Sequence, residues 1–336
     1  MALGDEKSGV TMADVADALG ISKITVSRAL SGHATVKPAT REKVKEAAER
    51  LGYRMNVAAR NLRLQRTQAI AVVIELTPQH NRSMMEPYPL SLLGGIMEEL
   101  TRANFNLVLT TVDLFHKSPP AVDGSILLGQ GVHEDAVGLM KQAGLPFCVW
   151  GASHGDAYPV TVGSDNFQGG RLAAEHLLAQ GCRRALFLGD IGHGEVEDRY
   201  SGFASVFEGG NGNIAAVLPC NFTMDDAYRA VRSFLDEQNG RIDAIFAASD
   251  SIAMGAIHAF SEAGHHIPGD MLIIGFDDSP GAALSDPELT SVRQDWEGGG
   301  RMLARKVLKL IDGQNVESQI LPVDLIVRES SLTLKS

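Results

Sequence analysis

From residue 69 onward the chain alternates short, β-rich apolar runs with stretches of helical periodicity, and no other feature constrains the fold as much. The runs are 69–76, 106–112, 124–128, 147–150, 160–163, 185–189, 214–218, 244–248, 271–276 and 291–294. Between them, 92–103, 171–179, 226–235, 252–263 and 301–311 place apolar residues at helical spacing. Strands that are apolar on both faces and linked through helices belong in parallel sheets covered on both sides. Ten such runs exceed one small sheet, so the pattern predicts an α/β body of two doubly wound lobes.

Polar residues gather where these runs end. Asp165 and Asn166 follow 160–163, Asp190 follows 185–189, Ser249 and Asp250 follow 244–248, and Asp277 and Asp278 follow 271–276. Open parallel sheets bind ligands at the carboxyl ends of their strands. A carboxylate there can accept hydrogen bonds from two adjacent hydroxyls of a polyol. Any single Asp serves a turn or a helix start just as readily, and it is the repetition that points to a ligand cleft.

Residues 1–66 have a different texture. Thr11 can cap a helix with Val15, Ala16 and Leu19 on one face, ended by Gly20. Ser22 caps a second helix, with Val26, Ala29 and Leu30 as its buried face. So short a link forces a sharp crossing, the pattern of a helix-turn-helix. A third helix follows Pro38, with Val44, Ala47, Ala48 and Leu51 at helical spacing and Gly52 as its stop. Charge divides the chain at the same place. The net charge is −11, yet residues 1–66 carry 12 Lys and Arg against 7 Asp and Glu, which leaves 18 against 34 for the rest. A basic all-α head on an acidic body fits a head that meets a polyanion.

Other classes find little support. Apolar runs such as 69–74 and 271–274 are too short to cross a bilayer. Residues 1–10 lack the positive start and apolar core of a secretion signal, so a cytoplasmic protein is expected. Cys148, Cys182 and Cys220 are widely spaced with no CxxC, as free thiols of a reducing compartment would be. His265 and His266 have no partner at metal-ligand spacing, and neither a metal nor a cofactor is expected. Gly189-Asp-Ile-Gly-His-Gly follows a strand but lacks the GxGxxG spacing. No catalytic set emerges, which argues against an enzyme. The basic head argues against a ligand-binding module without DNA function.

Thr11-Met-Ala-Asp-Val-Ala, Ile21-Ser-Lys-Ile-Thr-Val-Ser-Arg-Ala-Leu-Ser-Gly, Thr40-Arg-Glu-Lys-Val and Leu51-Gly-Tyr-Arg-Met-Asn resemble the DNA-binding head of the LacI/GalR repressor family. Asp165-Asn-Phe-Gln-Gly-Gly, Arg199-Tyr-Ser-Gly-Phe, Gly275-Phe-Asp-Asp-Ser-Pro and Leu289-Thr-Ser-Val-Arg-Gln resemble the body of the same family. The resemblance implies a body similar to periplasmic sugar-binding proteins, with three crossings between lobes. It divides the chain into a helix-turn-helix domain at 10–55 and a hinge helix with linker at 56–67. The first lobe is then 68–178 with 293–322, and the second 179–292 with 323–332. Tetrameric relatives continue past the last strand into a leucine-rich helix. This chain stops at Leu334-Lys-Ser, so a homodimer is expected.

The resemblance also implies site residues. The second helix enters the major groove, with Ser22 and Thr25 facing phosphates and Lys23, Ile24 and Arg28 at base edges. Thr35 is a further DNA contact. Arg28 suits guanine and Lys23 suits guanine or phosphate, whereas Ile24, where Ala is common, offers only apolar contact. Asn56, Ala59 and Leu62 belong to a hinge helix that forms on DNA, with Leu62 wedged into the minor groove. Alone, that segment is too short to be stable in water. Effector contacts fall at Tyr88, Asp165, Arg199, Phe222, Ser249, Asp277 and Trp296. Arg199 and Asp277 hold hydroxyls, Phe222 and Trp296 stack on a sugar ring, and Ser249 replaces the usual Asn. Met84, Met85 and Pro89, in a long loop at 80–89, shape the pocket mouth. The expected function is a transcription regulator, a repressor by resemblance, that binds near-palindromic operator DNA under the control of a sugar. A purine effector, and the direction of the effect, stay open.

Overall fold

The computed structural model describes residues 10–30, 35–53, 66–75, 87–129, 134–152, 159–237 and 241–333. It divides into two units, Met1–Thr67 and Gln68–Ser336.

The first unit holds three helices, α1 (Met12–Leu19), α2 (Lys23–Leu30) and α3 (Pro38–Leu51). The Asp14 carboxylate accepts from the Thr11 backbone N–H at 2.8 Å and from its hydroxyl at 2.9 Å, a reciprocal cap that holds the Asp14 carboxyl below the usual carboxylate range. Gly20 and Gly52 close α1 and α3 in the left-handed region, at φ 63° and 71°. Val15, Ala16, Val26, Ala29, Val44, Ala47 and Ala48 form the core, joined by Val36, while Leu19, Leu30 and Leu51 are only partly buried against it. This is the three-helix head that the apolar spacing predicts.

The second unit contains two six-stranded sheets. The first is ordered β11 (Gln319–Leu321), β5 (Val160–Ser164), β4 (Phe147–Trp150), β3 (Gly124–Leu128), β1 (Ala69–Ile74), β2 (Asn106–Thr111), and every pairing is parallel. The second is ordered β12 (Asp324–Ile326), β10 (Thr290–Arg293), β9 (Leu272–Asp277), β8 (Ala244–Ala247), β6 (Arg184–Leu188), β7 (Asn213–Leu218). Only β12 runs antiparallel there. The chain crosses between sheets after β5, after β10 and between β11 and β12. All of the predicted strand runs appear. The three-residue strands β11 and β12 carry too little periodicity to be seen in sequence.

Helices α4 (Pro87–Arg102) and α11 (Trp296–Ile311) pack together on the first sheet, crossing where Gly95 meets the Glu297 carbonyl and Gly300 meets the Leu92 carbonyl. Helix α4 begins at Pro87, inside the segment expected to be loop. Helix α5 (Val112–Lys117) and helix α6 (Glu134–Gln142) belong to the same lobe.

The expected lobe boundary at 178/179 is corrected by the structure. Helix α7 (Asn166–Ala179) packs on α8 (Gly194–Phe207) and on the second sheet, so the chain changes lobes before α7 and not after it. The cause is steric: Gly170 lies against the Arg199 carbonyl and Gly202 against the Phe167 carbonyl, an approach that any side chain at either position blocks. Helices α9 (Met224–Asp236) and α10 (Asp250–Glu262) complete the second lobe. Among the described residues no helix is long and apolar enough to cross a membrane.

Candidate ligand cleft and nucleic-acid interface

In the head, α2 divides into two faces. Val26, Ser27 and Ala29 are buried, and Lys23, Ile24 and Arg28 point outward, with Ile24 64% exposed. An isoleucine this exposed gains nothing from the core and is available for apolar contact with another molecule. Ser22 Oγ accepts from the Thr25 backbone N–H at 3.1 Å and lies 2.9 Å from Thr25 Oγ1, so the two hydroxyls sit together at the start of the helix. Thr35 is exposed beside buried Val36. Asn56, Ala59 and Leu62, with Met84 and Met85, lie outside the described residues.

In the body, the carboxyl end of β9 is conformationally strained. Asp277 and Asp278 adopt φ of 116° and 51°, which L-residues rarely occupy. Surrounding groups hold them there. Gln294 Nε2 donates to Asp277 Oδ1 at 2.7 Å. Arg328 pairs with the Asp278 carboxylate at 2.6 Å and donates to the Leu289 carbonyl at 2.7 Å. The Asp278 N–H donates to Ser291 Oγ at 2.9 Å.

Asp250, at the start of α10, is 1% exposed. It accepts from Ser291 Oγ at 2.5 Å and from the Ser279 N–H at 2.6 Å. Burial pushes its carboxyl up to about 6, against the pull of these hydrogen bonds. The sequence marks Asp250 only as one strand-end carboxylate among several, and its burial, the signal that sets it apart, depends on packing.

Tyr88, Phe222, Ser249, Asp277 and Trp296 line one cleft, together with Asp250 and Ser279. Tyr88 and Trp296 come from the first lobe and the others from the second. The rings of Tyr88 and Trp296 meet edge to face, 5.7 Å apart at 74°. Phe222 lies edge-on to His193 at 6.0 Å. The free space in this cleft is about 20 Å³, room for a single water. A second, wider cleft of about 600 Å³ shares Asp277 and Trp296 and opens toward Ser91, Glu98, Asp278 and Glu297.

Two of the predicted ligand residues do not line the cleft. Asp165 caps α7, accepting from the Gln168 N–H at 2.9 Å, and its own N–H donates to the Leu321 carbonyl at 2.9 Å. Arg199 is 4% exposed, donates to Asn166 Oδ1 at 2.8 Å and to the Ala248 carbonyl at 2.5 Å, and stacks 3.8 Å over Phe276. Arg199 therefore supports the strand end that leads into Ser249. Among the described residues no group of His, Cys, Asp and Glu could hold a metal ion.

A helix-turn-helix with an outward basic and apolar face, followed by a two-lobed body with a polar cleft at its strand ends, defines a ligand-responsive, DNA-binding transcription regulator. The profile of bacterial regulatory proteins of the lacI family matches residues 11–56, and that of a periplasmic binding protein-like domain matches residues 174–331. The HTH-type transcriptional regulator CelR of Thermobifida fusca is 32% identical over 335 residues, covering 95% of this chain and 98% of that protein. The chain belongs to the lacI family of bacterial regulatory proteins.

Solved structures agree. A CelR–cellobiose complex superposes with a TM-score of 0.72 at 30% identity, over 96% of this chain and 99% of that one. The lac repressor dimer bound to operator and the anti-inducer ONPF gives 0.82 at 25% identity, over 97% and 100%. A LacI family regulator from Enterococcus faecium with bound ribose gives 0.69 at 28% identity, over 80% and 100%.

Proposed function

We propose that this regulator acts in the cytoplasm as a homodimer on a near-palindromic operator, and that a neutral sugar bound between its lobes changes its hold on DNA. One observation carries the sugar reading: Asp277 from the second lobe and Trp296 from the first line the same cleft. A sugar ring has a hydroxyl edge for the carboxylate and a C–H face for the indole. The cellobiose and ribose complexes of the relatives support the same class of ligand. Tyr88, Phe222 and Ser249 complete the contact surface, and Arg199 supports the strand end that leads into Ser249. Ligand pockets ordinarily measure about 300–1,000 Å³, so a sugar enters this one only as the lobes part. A ligand that favours one lobe arrangement shifts the population toward it, which is the coupling that DNA binding can read.

On DNA, Lys23, Ile24 and Arg28 read base edges while Ser22, Thr25 and Thr35 position the helix on phosphates. Asn56, Ala59 and Leu62 form the hinge, with Leu62 as the minor-groove wedge. The lac repressor dimer on its operator supports this arrangement. The test is a mobility-shift titration with the region upstream of the chain's own gene, with and without cellobiose or ribose. Two chains per operator, affinity that falls steeply with salt, and a sugar-dependent shift are expected. Salt-insensitive binding, or a wild-type chain that binds nucleobases and no sugar, would overturn the reading.

A further inference from the structure

We infer that the indole N–H of Trp296 donates a hydrogen bond to the effector, so that the sugar recognised must present an acceptor oxygen at this wall and not merely an apolar face. The inference rests on the sugar reading above. Trp296 is 7% exposed, and its Nε1 is buried with no hydrogen-bond partner among the described residues. A buried donor without an acceptor has given up its water for nothing, and folded proteins rarely tolerate one. Packing alone does not call for it. The ring sits against Tyr88 and the first-lobe core, where a phenylalanine would bury apolar surface without orphaning a polar atom.

The rest of the cleft gives this N–H its meaning. Among the described residues, the other polar side chains lining it are the carboxylates of Asp250 and Asp277 and the hydroxyls of Tyr88 and three serines, so Trp296 brings the only side-chain N–H of that described set. Asp250 is buried with both oxygens already engaged by Ser291 and Ser279, while Asp277 accepts, and hydroxyls of a polyol donate to it. The indole does the reverse and accepts no hydrogen bond itself. A polyol is thereby fixed in direction, with hydroxyl hydrogens toward Asp277 and a ring or hydroxyl oxygen toward Trp296. The described residues of this lining include no lysine, arginine or histidine, while Arg293 lines the wider cleft beside it.

The test uses the full chain with cellobiose and ribose as probes, in calorimetry and in indole ¹H–¹⁵N spectra. The chain has two tryptophans, so Trp296→Phe assigns the Trp296 signal by its loss. If that variant does not fold, Trp150→Phe makes the same assignment. Saturating sugar should move the Trp296 N–H downfield and slow its exchange with water. Trp296→Phe should bind the sugar about tenfold more weakly or worse. An unmoved signal in the saturated protein, or undiminished binding by Trp296→Phe, would overturn the inference and leave the sugar reading intact. Failure of both sugars to bind the wild type would overturn the sugar reading and the inference with it.

Discussion

The side-chain amide of Gln294 donates to the Asp277 carboxylate at 2.7 Å, so a residue at the point where the chain leaves the second sheet aims the carboxylate that faces the cleft. Gln294 is 9% exposed and Asp277 carries a left-handed φ, so the bond steadies a corner that the backbone alone would not favour. Gln294→Leu keeps the volume and removes the donor. A hydrogen bond to a charged group contributes about 1.5–3 kcal/mol, so sugar affinity should fall about tenfold to a hundredfold. Calorimetry with cellobiose reads this directly, and unchanged affinity would show that Asp277 is aimed without Gln294.

Asp250 makes stability depend on pH in a definite direction. Its carboxyl is raised from 3.8 to about 6 in the folded state, so between these values the folded chain holds a proton that the unfolded chain has released. The favourable contribution of the protonated group is complete below about 4 and is lost as pH rises through about 6, a change of up to about 3 kcal/mol. Asp250→Asn should flatten this slope. Urea unfolding of wild type and variant from pH 4 to 7 tests it, and parallel pH profiles would rule out Asp250 as the source.

Two glycine substitutions should act in opposite directions. Gly170→Ala drives a methyl into the Arg199 carbonyl at the α7–α8 crossing and should cost about 1–3 kcal/mol or more. Gly138, within α6, has nothing within 4 Å of an added Cβ, so Gly138→Ala should stabilise by up to about 1 kcal/mol through helix propensity. Thermal melts of both variants compare them, and destabilisation by Gly138→Ala would contradict the open space beside it.

The outward face of α2 should separate specificity from affinity. Arg28→Ala should weaken operator binding by about 1–3 kcal/mol and relax base preference at one position in each half-site. Thr25→Ala should weaken specific and nonspecific DNA about equally, as a phosphate contact does. Mobility shifts on operator and scrambled duplexes distinguish the two. Equal losses on both duplexes for Arg28→Ala would remove it from base readout.

The sequence by itself determined the elements and their order. Caps such as Thr11 with Asp14, stops such as Gly20 and Gly52, and apolar runs 69–76 to 291–294 are local signals, written within a turn of helix or a strand length. They yielded the three-helix head, ten of the twelve strands among the described residues, and Ser249, Asp250 and Asp277 of the cleft, whereas Tyr88, Phe222 and Trp296 came only from the family resemblance. Helix α8 escaped because its first turns, Gly194-Glu-Val-Glu-Asp-Arg, read as polar. The lobe to which α7 belongs, the burial that lifts Asp250, the engagement of the Asp165 N–H by the Leu321 carbonyl and of Arg199 by Asn166 and the Ala248 carbonyl, and the orphaned N–H of Trp296 were decided only by tertiary structure. They depend on residues distant in sequence, as in the pairs Asn166 with Arg199, Asp250 with Ser291 and Asp278 with Arg328. Hydrogen bonding and desolvation act over a few ångströms of space, and the chain brings those residues within that range only by folding.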